Sequence, residues 1–270
     1  SFRQTIRNPL ATYVNVIQTV VLALIVGSIF FRLPFDQGGV QARAGTLFFV
    51  VTNGAFSLTQ AVGTFVEEKV IVGRERRAGM YSVGPYFLAK TLIDLPIHVT
   101  MPILLSAIVY WMAGLNPGVQ NFFIFVGFAV LNTVVAGSMY TLLGTLAPNV
   151  TVANILAPVV TVLFFLFSGF FLTSNNIPDW WIWVYYISWF RYCYEGMMVN
   201  EFVGSTFNCT IEQEVAPGIC PISNGAQVLQ FYGLENVVIW QWALVLVGMF
   251  LILRIGAFIV LLFVGKEKRY

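Results

Sequence analysis

Charge is what this sequence has least of. Of its 270 residues, 14 are Lys or Arg and 12 are Asp or Glu, a share of 10% where a soluble domain carries about a quarter. Hydrophobic residues make up 58%, and the mean hydropathy is +0.81. A water-soluble fold of this composition would have too little polar surface to cover itself, so lipid is the solvent for most of the chain. A formal charge of +2, without a basic stripe interleaved with aromatics, argues against nucleic acid as a partner.

Catalytic side chains are equally scarce. There is one histidine and there are three cysteines. His98 alone cannot make a metal site, and no Ser/His/Asp set forms without it, so no catalytic residue, metal site or cofactor is assigned to this chain. An interhelical hydrogen bond is the role expected of His98. No GxxxxGK[ST] phosphate loop occurs; Gly265-Lys266 is followed by Glu267 and lacks the upstream glycine. Only Asp94 and His98 could relay protons within an apolar stretch, which disfavours ion-coupled transport. Any path through the chain is lined by apolar, aromatic and neutral polar groups, which favours a hydrophobic or amphipathic cargo.

What the sequence has is long charge-free windows. Residues 8–31, 44–66, 95–178 and 236–253 carry no charge. A membrane-crossing helix needs about 20 mainly apolar residues, so the third window must fold back. Asn116-Pro117-Gly118 and Ala147-Pro148-Asn149 mark the breaks. The apolar runs are continuous rather than alternating, which favours helices over a barrel. The expected fold is an all-α membrane protein with six transmembrane helices near 10–32, 44–66, 87–113, 119–146, 151–173 and 237–264. A cytoplasmic segment at 67–86 and an outer, partly re-entrant segment at 174–236 complete it. Arg254 is expected to snorkel toward the far interface. The chain opens on Ser rather than Met and shows no signal-peptide pattern, as expected of part of a longer polypeptide.

Basic residues set the orientation. With the amino terminus inside, the inner segments hold ten Lys and Arg and the outer ones only Arg32, Arg43 and Arg191. The positive-inside rule then places both termini in the cytoplasm, in the plasma membrane or an organelle membrane. Asn208-Cys209-Thr210 is a glycosylation sequon in the outer segment. Cys209 and Cys220 share that segment and are expected partners in an oxidising compartment; two free thiols are the alternative. Cys193 reads either as a small apolar residue among aromatics or as a bridge to another subunit. Ten of residues 178–202 are aromatic, which suits a short re-entrant or interfacial helical element.

Seven of the charged residues crowd between Glu67 and Arg77. Anchoring explains Lys69, Arg74, Arg76 and Arg77, but not Glu67, Glu68 and Glu75, because acids add little to topology. The mixed signs suit a protein contact. Neutral polar residues are patterned too. Asn53, Ser57, Gln60 and Thr64 make one stripe at helical spacing; Asn154, Pro158, Thr161, Phe165 and Ser168 make another. Interhelical bonding and cavity lining both account for such stripes. Pro158 leans toward a cavity, since it frees a backbone carbonyl inside the membrane.

Three stretches carry a family resemblance. They are ARAGTLFFVVTNGAF at 42–56, VEEKVIVGRERRAGMYSVGPYFLAKTLIDLP at 66–96, and LFFLFSGFFLTSNNIPDWWIWVYYISWFRYCYEGMMVNEF at 163–202. Together they resemble the membrane domain of an ABC transporter of the G subfamily, the white-type half-transporters. The resemblance implies export of lipids, sterols or other hydrophobic molecules by alternating access in a dimer. It implies cargo contacts at Thr52, Asn53, Phe56, Val162 and Phe165, and an outer gate at Phe170 and Phe171. It implies a cytoplasmic coupling helix within 67–86, acting through Glu67, Arg74, Glu75, Arg76 and Tyr81 on a nucleotide-binding domain that holds ATP and Mg. The implied partners are that domain, a second half-transporter and membrane lipids. No nucleotide-binding domain is present in this sequence, so this chain alone is not expected to hydrolyse ATP. A non-transporting scaffold using the outer segment 203–236 is the alternative.

Overall fold

A computed structural model describes residues 9–78, 80, 82–171, 177–208 and 222–264. Ten helices account for the regular structure among them, and the one extended feature there is an isolated bridge between Thr206 and Asn224. They are α1 Pro9–Ile29, α2 Gln37–Phe56, α3 Ala61–Arg77, α4 Val83–Ala113, α5 Val119–Leu146, α6 Val150–Leu166, α7 Ile182–Ile187, α8 Trp189–Phe202, α9 Gly225–Phe231 and α10 Ile239–Val264. Four stretches are long and apolar enough to cross a membrane: Gln37–Glu75, α4, α5 and Ile239–Phe263. Tyr13–Ile29 and α6 are apolar but shorter. The chain is an all-α membrane domain.

Local chemistry explains the ends. Asp36 caps α2, its carboxylate accepting from the Gly39 N–H at 2.6 Å. Asn149 caps α6 through the Val152 N–H. Gly114 closes α4 in the left-handed conformation, φ 62°, which glycine adopts without steric cost. Between α2 and α3 the chain makes a tight turn at Ser57–Gln60, where the Leu58 and Thr59 N–H groups donate to Ala55 and Phe56 carbonyls three residues back. The second apolar run is therefore helical well beyond its charge-free window, from Gln37 to Arg77, with one break. The stripe Asn53, Ser57, Gln60 and Thr64 crosses that break rather than following one helix.

α5 is the hub of the core, packing on α10, α4, α8, α3 and α2. Polar groups tie it to its neighbours, since in hydrocarbon each needs a partner inside the protein. Asn132 Nδ2 donates to the Val51 carbonyl at 2.7 Å. Tyr140 Oη bridges the Ala55 carbonyl at 3.0 Å and Thr161 Oγ1 at 2.7 Å, joining α2, α5 and α6. Pro102 has no N–H to give the carbonyl of His98 one turn earlier; the Thr133 hydroxyl donates to that carbonyl instead, at 2.7 Å.

Four charged groups are internal among the described residues: Arg43, Glu195, Glu201 and Arg254. Arg43 (0% exposed) in α2 pairs with Glu201 (2% exposed) in α8. Arg43 also donates to the Leu33 and Gly114 carbonyls, and its guanidinium carbon lies 3.8 Å from the centre of the Phe35 ring. Arg254 does not snorkel. Only 7% exposed, it turns inward and donates to Ser138 Oγ on α5 and Thr91 Oγ1 on α4, so its charge is met by hydroxyls inside the bundle.

α7 and α8 form the aromatic element between α6 and α10. Trp180, Trp183 and Tyr186 are exposed along it, while α8 is buried almost throughout. Glu195 collects Tyr185 Oη at 3.0 Å, Arg191 Nε at 2.8 Å and Trp242 Nε1 at 2.8 Å, which locks this element onto α10. Cys193 is buried and donates to the Phe128 carbonyl at 3.3 Å. It is thus a small core residue, not placed to bridge subunits.

Candidate functional site

The expected cargo contacts come from two helices that meet. On α2, Thr52, Asn53 and Phe56 are half-buried; Thr52 Oγ1 donates to the Phe48 carbonyl. On α6, Phe165 is half-buried and Val162 is 43% exposed. The Phe56 and Phe165 rings are 6.1 Å apart, edge to face. Val162 lies on an open apolar edge with Ile155, Val159 and Leu166, all exposed.

Phe170 and Phe171 follow a sharp turn after α6, where Gly169 takes φ +87°. The structure brings both into one aromatic cluster with Phe165. Its hub is Phe48, which the sequence reading missed. Phe48 stacks on Phe170 at 4.3 Å and meets Phe165 at 5.0 Å and Phe171 at 5.3 Å. Tyr194 of α8 closes on Phe48 and Phe170 edge-on. Phe48 sits four residues before Thr52 and eight before Phe56, on the same face of α2. That spacing was the available signal.

The two polar stripes have separate fates. Thr161 is buried, bonded to the Ala157 carbonyl and Tyr140 Oη, and so joins helices. Asn154 lies against Gly63, where a Cβ would fall 2.9 Å from its Oδ1. Ser57 and Thr64 bond carbonyls three residues back in their own chain. Asn53, Ser57 and Gln60 line a cleft of about 270 Å³ with residues of α1 and α4. His98 lines it too. Its ring rests on Gly137, where an added Cβ would come within 2.5 Å. Among the described residues the imidazole makes no hydrogen bond, so the expected interhelical bond is absent. The hydrogen bond across to α5 is accepted by its backbone carbonyl, freed by Pro102.

The charged island is the second half of α3. Glu68 pairs with Lys90 of α4 at 2.9 Å, and Lys90 with Asp94 at 3.3 Å. Lys69 Nζ donates to the Thr145 and Ala147 carbonyls at 2.7 and 3.0 Å, capping the negative end of α5. These two residues hold the bundle together. Glu67 and Arg74 are exposed on the same helix, and Glu75 is half-buried. The Arg76 side chain, Tyr81, Cys209 and Cys220 lie outside what the structure describes. Asn208 is exposed, its N–H donating to the Phe35 carbonyl at 2.8 Å. No group of three or more His, Cys, Asp or Glu able to hold a metal occurs among the described residues.

Comparison with known proteins fits this architecture. The family model described as ABC-2 type transporter matches residues 1–202. ABC transporter G family member 1 of Dictyostelium discoideum is 34% identical over 267 residues, 97% of this chain and 34% of the relative. The broad substrate specificity ATP-binding cassette transporter ABCG2 of Mus musculus is 34% identical over 273 residues, 98% of this chain and 41% of the relative. Protein white of Ceratitis capitata is 33% identical over 234 residues, 85% of this chain and 34% of the relative. The chain thus spans roughly a third to two-fifths of the length of these relatives.

Proposed function

The chain belongs to the ABC-2 type transporter family, as a membrane domain of the G-subfamily, white-type kind, and from that premise we propose that it is the translocation domain of an ATP-driven exporter of lipids, sterols or other hydrophobic and amphipathic molecules. The observation that carries the reading is the Phe56–Phe165 contact, beside an open edge without charge at Val162. Two copies of this face, or this face and that of a second half-transporter, would enclose a cavity lined by aromatic rings and neutral amides. Such a cavity takes apolar bodies and discriminates weakly among them, since one methylene is worth about 1–3 kcal/mol.

The power stroke comes from outside this chain. ATP and Mg bound to a nucleotide-binding domain would favour one arrangement of the spans, and only such differential affinity shifts the equilibrium. The α3 end carrying Glu67, Arg74 and Glu75 is the surface on which that domain would press, with Arg76 and Tyr81 in the same segment. Closing the inner cavity would drive cargo past the cluster of Phe48, Phe170 and Phe171. Six spans with both termini in the cytoplasm complete the proposal, with α1 and α6 as the short ones. A glycan on Asn208 and a Cys209–Cys220 bond would then lie on the outer side.

The test is transport by the full-length polypeptide in proteoliposomes, over a panel of sterols, phospholipids and amphipathic drugs. Phe56→Ala should change cargo stimulation of ATP hydrolysis more than basal hydrolysis. Unchanged handling of every cargo by Phe56→Ala removes the pocket assignment.

A further inference from the structure

The cleft between α1, α2 and α4 has a chemistry of its own. Asn15, Gln18 and Thr19 enter it from α1, Asn53 from α2, Gln60 from the turn after it, and His98 from α4. Leu22, Ile97 and Met101 supply its apolar wall. No lining residue is charged. Among the described residues, the amides of Asn15, Gln18, Asn53 and Gln60 and the His98 imidazole make no hydrogen bond within the chain. Thr19 is satisfied by the Asn15 carbonyl. Five hydrogen-bonding side chains thus point into one space and have no partner there.

The surroundings are apolar and, in a membrane domain, would face lipid. Val14, Ile17 and Val21 on α1, and Leu92 and Ile103 on α4, are exposed apolar residues flanking the cleft. Unpaired amides are costly in hydrocarbon. A stripe meant for helix contact would bond across, as Asn132 and Thr161 do; these do not.

We propose that this cleft binds, from the lipid side, a neutral lipid-like molecule whose head group both donates and accepts hydrogen bonds, a hydroxyl or an amide. Amides can offer such a head both N–H and C=O, whereas a charged head group would find no counter-ion. The acyl body leaves between α1 and α4, past Ile17 and Ile103. Phe56 is shared: it lines the cleft and meets Phe165 edge to face. The cleft is therefore a lateral antechamber to the aromatic face. Its occupancy needs no ATP, so it can be tested apart from transport.

The experiment places the full-length polypeptide in lipid nanodiscs without nucleotide. The probe is a monoacylglycerol with a diazirine in its acyl chain; the comparison probe is the same molecule with both hydroxyls methylated. After irradiation, labelled peptides are located by mass spectrometry. The hydroxyl probe should label α1 and α4 near Gln18 and Met101 at least fivefold more than the methylated one, and unlabelled monoacylglycerol should compete. Both probes should label the lipid-facing Ile252 and Ile255 of α10 equally. Gln60→Leu, at an exposed position, and the double variant Asn15→Leu, Gln18→Leu should each cut the α4 label several-fold. Equal labelling of α1 and α4 by both probes, no label there from either, or full label in every folded variant overturns the proposal. Label without transport, or transport without label, separates this site from the export reading.

Discussion

Arg43 and Glu201 lie 158 residues apart in sequence and 2.5 Å apart in space, both buried. Glu201 also accepts from the Asn116 N–H at 2.9 Å, and Arg43 reaches the Leu33 and Gly114 carbonyls. One ion pair therefore ties together α2, α8, the segment after α1 and the α4–α5 loop. Removing one partner leaves an uncompensated buried charge, which costs about 3–5 kcal/mol. Arg43→Met or Glu201→Leu should each lower the thermal midpoint of the purified full-length protein markedly. The double variant should recover part of the loss. A double variant as unstable as the sum of the singles would show that the pair is not what joins these elements.

The same pair explains where the sequence misleads. A window search ends the second apolar run at Arg43, because a charge reads as water-facing until its partner is known. The partner is far along the chain, so no local pattern reveals it. The helix starts at Gln37 instead. Its far end is obscured in the same way, since Glu68 and Lys69 read as part of a separate cytoplasmic segment but serve Lys90 and the end of α5. By contrast, α5 spans Val119–Leu146, the range its flanking Asn-Pro-Gly and Pro-Asn breaks imply, because those turn signals are local. The site was legible to the same degree. Phe56, Phe165, Phe170 and Phe171 were named from motifs; Phe48 and the cleft around His98 emerge only when three or four helices are assembled.

Close approach of α2 and α5 depends on Gly54. An added Cβ there would lie 2.8 Å from Asn132 Nδ2 and 3.1 Å from Thr133 Cγ2, disturbing the Asn132–Val51 bond. Gly54→Ala should cost about 1–3 kcal/mol through overpacking. Gly45→Ala, on the same helix with nothing within 4 Å, should be neutral or stabilise by about 0.5–1 kcal/mol. Thermal midpoints of the two variants, measured at one scan rate, decide it; equal midpoints would contradict it.

Phe48 is 9% exposed and holds Phe170 by stacking. Phe48→Ala should cost about 3–5 kcal/mol as a buried truncation and loosen the outer closure. The expected signature is faster passive leakage of a preloaded cargo from proteoliposomes without ATP. Phe48→Leu should keep more stability while still leaking, and a tight Phe48→Leu would argue that the cluster closes nothing.

The α3 surface separates two kinds of charge. Glu68→Gln removes an ion pair within the bundle and should lower stability. Glu75→Arg and Arg74→Glu should leave membrane insertion intact but uncouple hydrolysis from transport in the full-length protein. Normal coupling in both variants would show that the motor docks elsewhere.

The central claim is that α2 and α6 present one cargo-binding face. Its most direct measurement is cargo-stimulated ATP hydrolysis and transport by full-length protein carrying Phe56→Ala, Phe165→Ala or both. The account predicts that each single change alters cargo stimulation, and that the double change is less than the sum, because the rings touch and act on one ligand. Wild-type stimulation and transport of every cargo in all three variants would contradict it.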